Sequence, residues 1–331
     1  MRNRHTSGPD ELIQGVLAGQ RRALARAISI VEDQGSLRPR LLKELYPEGH
    51  QAYICGITGP PGAGKSTLAE RVAQSELDGD ESLRVGVVAV DPTSPFTGGA
   101  LLGDRIRMTG LAVHPRAFIR SMATRGSRGG LARAAREVAV IMGAAGSGRV
   151  FMETVGVGQV ELDVAEAADT TVVVLVPESG DGIQAMKAGL MEIGDVFVIN
   201  KADRQGAEGL RVEVEQVLHM RAEADWSPPV LKTVASTGEG TEEVLDALAS
   251  HRQWLAESGE GDRRRRHRTF SYVKEIVQET LSRHLWEQGA YQEHLDRRLA
   301  DILAGQVDPF AVAEEILSAS GMLATMEGDR G

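Results

Sequence analysis

The chain has 331 residues, enough for one large domain or for a main domain with helical additions. Hydrophobic residues make up 42% and the net charge is −10, which suits a globular protein with a real core and argues against a surface built to coat nucleic acid, where Lys and Arg must exceed Asp and Glu. No apolar run approaches the roughly 18 residues of a membrane span, the opening MRNRHTSGPDEL lacks the apolar stretch of a secretory signal, and the single cysteine, Cys55, allows neither an internal disulfide nor a Cys-rich metal site, so a cytoplasmic protein is expected.

Residues 10–46 place apolar side chains at helical spacing (Leu12, Ile13, Val16, Leu17, then Leu24, Ile28, Val31), which predicts two short amphipathic helices. From Tyr53 the pattern changes to short apolar runs between Gly-rich or polar turns: Tyr53–Thr58, Val85–Val90, Val150–Met152, Thr171–Val176, Val196–Ile199 and Val230–Val234. Strand-like runs alternating with helical segments predict an α/β fold, a mostly parallel sheet with helices on both faces.

The first run leads into Gly59-Pro60-Pro61-Gly62-Ala63-Gly64-Lys65-Ser66-Thr67, a complete P-loop. Its glycines let successive backbone N–H groups line one concavity for phosphate oxygens, and a helix starting near Lys65 aims its positive end at the same place. In this motif Lys65 bridges the β and γ phosphates and Ser66 is a magnesium ligand.

The next runs end in carboxylates, at Asp91 with Asp104 following, and at Glu153 of Glu153-Thr154-Val155-Gly156-Val157-Gly158-Gln159. Carboxylates at the carboxyl ends of parallel strands border the phosphate crevice, so Asp91, Asp104 and Glu153 join Ser66 as candidate magnesium ligands. Asp91 and Glu153 as caps of the following turns is the competing reading. Many GTPases set a water-orienting glutamine directly after such a turn. Here Val157 stands there and Gln159 lies two residues on, which predicts slow intrinsic hydrolysis, with Arg125, Arg128 or a partner completing the site. The two arginines holding loop carbonyls instead is the alternative.

Asn200-Lys201-Ala202-Asp203 follows the apolar run Val196–Ile199. A carboxylate in the base plane accepts from the guanine N1–H and 2-amino group, a donor pair that adenine lacks, so Asp203 selects GTP and GDP. Asn200 is expected to brace the P-loop, and the Lys201 stem to cover the base face. Ala235-Ser236-Thr237, after the last strand, fits a loop whose backbone N–H meets the guanine carbonyl.

Beyond residue 240 the strands stop. Helices are expected at Thr241–Leu255, Tyr272–Trp286 and Pro309–Ala319, the last with proline in its first turn. The run Arg263-Arg264-Arg265-Arg266-His267-Arg268 reads as a solvated connection or basic helix start, or else as a contact for an acidic partner or second subunit.

Taken together these residues resemble the MeaB/ArgK family of G proteins. The resemblance is dense in Gly59–Thr67, in Asp91–Pro95 through Gly103–Met108, in Ala123–Gly126, in Glu153–Gln159 and in Lys187–Ile193, and it extends to Leu17–Ile28 and the helical C-terminus. It implies a chaperone for adenosylcobalamin-dependent acyl-CoA mutases, chiefly methylmalonyl-CoA mutase, that gates cofactor loading and protects the mutase, with GTP hydrolysis as the timing signal. It also implies a homodimer held by the C-terminal helices, and hence a division into an N-terminal helical extension (1–50), a P-loop GTPase domain (51–256) and a C-terminal arm (257–331). The chain departs from the family pattern at Gly182, usually acidic, and at Val160, usually serine. A metallochaperone GTPase would want Cys-x-x-Cys or a His-rich tract, and the histidines are scattered. A transport-linked kinase is the other alternative, and Asp203 argues against its ATP.

Overall fold

The computed structural model describes residues 8–92, 108–124, 130–154, 160–177, 189–220, 225–286 and 290–321. Among them lie seven strands: β1 (Tyr53–Thr58), β2 (Val85–Pro92), β3 (Ala117–Thr124), β4 (Arg149–Thr154), β5 (Thr170–Leu175), β6 (Val196–Asn200) and β7 (Val230–Thr233). They form one sheet in the order β3-β2-β4-β1-β5-β6-β7. Every pairing is parallel, from Ile57 beside Glu153 to Asn200 beside Thr233.

The helices before the sheet are α1 (Pro9–Leu17), α2 (Arg21–Glu32) and α3 (Arg38–Gly49), three where the apolar spacing predicts two. The third was hidden by its prolines: Pro39 sits in the first turn, where its missing N–H costs nothing, and Pro47 near the end. Between and after the strands come α4 (Lys65–Gly79), α5 (Thr109–Ala112), α6 (Gly130–Ala144), α7 (Val160–Ala167), α8 (Leu190–Ile193), α9 (Ala207–His219) and α10 (Thr241–Glu257). α11 (Glu260–Trp286), α12 (Ala290–Leu303) and α13 (Pro309–Ala319) complete the order. No described helix is long and apolar enough to cross a membrane.

Side chains alternate across the strands, and both faces are covered. Val85 and Val87 of β2, Phe151 of β4 and Val172 and Val174 of β5 pack with Leu68, Val72 and Leu77 of α4 and Val244 and Leu248 of α10. On the other face, Val88, Val90 and Met152 pack with Leu12, Ile28 and Leu41 of the N-terminal helices and with Val138 and Ile141 of α6. Farther along that face, Phe197 and Ile199 meet Leu210 and Val214 of α9. The N-terminal helices are thus part of the sheet's own core. A buried ion cluster ties them down: Arg38 of α3 donates to both carboxylate oxygens of Glu137 on α6, with Nε 2.8 Å away, and Arg133 stands 3.6 Å from the same carboxylate.

At the amino ends of the strands the Tyr53 hydroxyl meets Thr170, whose Oγ1 lies 2.6 Å from Nδ1 of the fully buried His251 on α10. Nε2 of His251 is 3.4 Å from Asp195, which also receives Arg264 at 3.1 Å and the Thr171 N–H at 2.9 Å. Trp226 and Trp254 flank the imidazole. Burial lowers the His251 pKa below its ordinary value, against the pull of Asp195.

The arginine run matches the expected basic helix start, and that helix begins earlier than Tyr272. The run lies inside α11, one continuous helix from Glu260, rather than between two helices. Arg263 and Arg264 both bond to Glu260, whose carboxyl they hold down at about 2, and Arg264 reaches Asp195, so that side chain is an internal contact and not a solvated charge.

The chain separates into two compact units, Met1–Arg265 and Arg266–Gly331. In the second, α12 and α13 are joined by His294 and Arg298 on Glu315, and Asp308 caps α13 by accepting from the Phe310 and Ala311 N–H groups. α11 buries none of its residues, and Phe270, Val273, Val277 and Leu281 are exposed at helical spacing.

Candidate nucleotide site

The P-loop motif forms the turn between β1 and α4, at the carboxyl edge of the sheet. Gly59 has φ +138°, and a Cβ there would come within 2.0 Å of the Val174 carbonyl oxygen on β5, so the chain can cross its neighbour only as glycine. Gly64 has φ +87°, with the Asn200 amide where its Cβ would be. Lys65 begins α4, as the sequence predicts. Its buried ammonium donates to the carbonyls of Gly59 at 2.8 Å and Pro60 at 2.9 Å, which holds it across the loop's mouth. Pro61, Gly62 and Thr67 are exposed around it, and Ala63 is buried.

Ser66 and Glu153 meet directly. The hydroxyl donates to the carboxylate across 2.5 Å, both side chains being buried. One residue on, Thr154 pairs its hydroxyl with that of Thr58 at 3.1 Å, fastening β4 to β1 beneath the loop. Glu153 lies within β4, and the turn that follows it lies outside the described residues. This pair is an oxygen-only donor set of the hard type that magnesium prefers, and it fits that ion.

Asn200 closes β6, and its side chain joins both halves of the site. Nδ2 donates to the Ala63 carbonyl of the P-loop at 2.7 Å, while Oδ1 accepts from the Thr233 hydroxyl at 3.1 Å and the Ala235 N–H at 3.0 Å. Lys201 follows in the left-handed region, φ 56°, a conformation that non-glycine residues adopt mostly at special positions. Asp203 is exposed two residues later. Ala235-Ser236-Thr237 form a tight turn closed by the Val234–Glu239 bridge, in which the Thr237 N–H donates to Val234.

The structure brings Gly59–Thr67, Glu153, Asn200, Lys201 and Ala235–Thr237 to one edge, ordered by β1, β4, β6 and β7. Asp91 lies one residue before the end of β2, beside Ala123, and its backbone alone is described. Asp104, Arg125, Arg128, Gln159 and Gly182 lie outside the described residues.

Two α4 side chains escaped the sequence reading. Glu70 accepts from the Gly110 and Leu111 N–H groups at 3.0 and 3.3 Å, and so caps α5. Arg71 donates to the Ala235 carbonyl at 3.3 Å and the Ser236 carbonyl at 2.9 Å. Charged residues on the outer turns of a helix carry no mark that separates these roles from solvation.

Comparison with protein families matches residues 24–290 to the family described as "Methylmalonyl Co-A mutase-associated GTPase MeaB". A putative GTPase of Pyrococcus abyssi is 45% identical, covering 93% of this chain and 95% of that protein. A mouse protein named methylmalonic aciduria type A homolog, mitochondrial, is 33% identical over 94% of this chain and 79% of its own length. Among solved structures, one titled LAO/AO transport system kinase superposes with a TM-score of 0.69 at 29% identity, covering 97% of this chain and 99% of that one.

Proposed function

The chain belongs to the MeaB family of GTPases, and from that premise we propose a cytoplasmic G-protein chaperone that gates adenosylcobalamin loading and protects an acyl-CoA mutase, methylmalonyl-CoA mutase first among candidates. The family's own description supports the mutase as partner.

The observation that carries the nucleotide half is the Asn200 bracket. One side chain bonded to Ala63, Thr233 and Ala235 fixes the phosphate loop and the base loop to each other. When GTP binds, the backbone of Gly59-Pro60-Pro61-Gly62-Ala63-Gly64, Ser66 and Thr67 cradles the phosphates. Lys65 exchanges its bonds to Gly59 and Pro60 for β- and γ-phosphate oxygens, so its charge is held ready rather than recruited. Asp203 takes the guanine N1–H and 2-amino group, the Lys201 stem covers the base, and the 235–237 loop meets the guanine carbonyl.

Ser66 and Glu153, with Asp91 and Asp104, would hold magnesium, which when bound neutralises charge on the β and γ phosphates. Gln159 orients the attacking water, and Arg125 or Arg128 meets charge developing on the γ-phosphoryl oxygens. Val157, in the place of the usual glutamine, leaves turnover slow until a partner reorders these segments.

The exposed stripe Phe270, Val273, Val277 and Leu281 on α11 supports a homodimer, since a matching stripe on a second copy would cover it.

The test of the partner is co-elution with methylmalonyl-CoA mutase on a sizing column, in GDP and in a non-hydrolysable GTP analogue. A stable complex in at least one nucleotide state is expected. Independent elution from every adenosylcobalamin-dependent acyl-CoA mutase tried would defeat the chaperone reading and leave the GTPase.

A further inference from the structure

Resting on the guanine site described above, we propose that Arg71 is a positioning residue for base recognition: it fixes the peptide plane that presents the Ser236 N–H to the 6-oxygen of guanine. Arg71 projects from the second turn of α4, the helix that begins at Lys65. Its Nε reaches the Ala235 carbonyl at 3.3 Å and its Nη2 the Ser236 carbonyl at 2.9 Å. A planar guanidinium can hold two successive carbonyls in one orientation, and its charge strengthens both bonds.

The donors of the loop then separate cleanly. The Ala235 N–H is taken by Asn200 Oδ1 at 3.0 Å and the Thr237 N–H by the Val234 carbonyl at 3.0 Å. Among the described residues the Ser236 N–H alone of the three has no acceptor. That N–H shares a peptide unit with the Ala235 carbonyl. The unit is trans, so carbonyl and N–H point in opposite directions within one rigid plane. By holding the carbonyl from the α4 side, Arg71 turns the N–H to the other side.

An acceptor at position 6 of the purine completes that donor, whereas the 6-amino group of adenine meets it donor to donor. Asp203 reads the N1–H and 2-amino edge. Arg71, through Ser236, governs the remaining edge, and the pair gives the site two independent discriminations against adenine.

The test is calorimetric binding of GDP and 6-thio-GDP. The thio analogue keeps the N1–H and 2-amino group for Asp203 and exchanges only the 6-oxygen for sulfur, a weaker acceptor. The parent should favour GDP. Arg71→Met should weaken GDP about three- to tenfold, the worth of one hydrogen bond, while changing 6-thio-GDP less than about twofold, so that the preference closes. Arg71→Lys, with one cationic donor, should recover part of it.

Equal losses for both nucleotides would make Arg71 a structural clamp and overturn the proposal. So would no loss for either, or a parent indifferent to sulfur. A parent that binds ADP as tightly as GDP would instead overturn the guanine reading on which the proposal rests.

Discussion

Asp203 and His251 stand at opposite ends of the sheet and answer to different physics. Asp203 is exposed three residues past β6, where its carboxylate can lie against the edge of a bound base. Asp203→Asn replaces an acceptor of two guanine donors by an amide that can accept only one, and should cost GDP about 2–3 kcal/mol by calorimetry, the worth of a charged hydrogen bond. Unchanged GDP affinity would remove Asp203 from the base site. His251 is fully buried between Thr170 and Asp195, and burial favours its neutral form. The unfolded chain binds a proton there near the ordinary value of about 6.5, while the native fold resists it. Stability from this residue is therefore complete above about pH 6.5 and is lost as pH falls toward the lower native value. Thermal midpoints measured from about pH 7.5 down to about pH 5.5 should fall more steeply for the parent than for His251→Asn. Parallel slopes would show that His251 does not control acid stability.

At the scale of elements, α4 is the organiser of the nucleotide edge. Its first turn supplies Lys65 and Ser66, its second supplies Glu70 to cap α5 and Arg71 to hold the base loop. On the opposite face the Arg38–Glu137–Arg133 cluster links α3 to α6. Glu137→Ala leaves two buried guanidinium groups without their carboxylate and should destabilise the fold by about 3–5 kcal/mol in urea unfolding. A loss below about 1 kcal/mol would mean that water reaches the cluster. Six of the seven strands were legible as apolar runs because a parallel sheet buries both faces. β3 was not, because its Arg120 and Ser121 break the apolar run. Among the described residues, Arg120 bonds far away in sequence, to Ser29 at 3.1 Å and to Glu32, both on α2. α11 was obscured for a similar reason. Its arginines look like a linker until Glu260 and Asp195 are seen to neutralise them. The P-loop and Asn200 were legible because each sits in a short contiguous motif, whereas Arg71 sits in none and meets its partners 164 and 165 residues away.

For the whole molecule, we propose that GTP hydrolysis serves a partner rather than proceeding for its own sake. Lys65 and the Ser66–Glu153 pair already stand at the loop's mouth, so phosphate binding exchanges their side-chain bonds rather than assembling the site. With Val157 where many GTPases place the residue that orients the attacking water, the slow step under this proposal is the one a partner supplies. Completion of such a site by an added arginine gives about 10³–10⁵-fold in other GTPases. A smaller gain is expected here, with Arg125 and Arg128 already in the chain. The direct measurement is the steady-state rate of GTP hydrolysis by the purified chain with and without methylmalonyl-CoA mutase and related adenosylcobalamin-dependent acyl-CoA mutases. The expected result is a slow basal rate that one of these mutases raises about tenfold or more. A basal rate that no such mutase alters would contradict it.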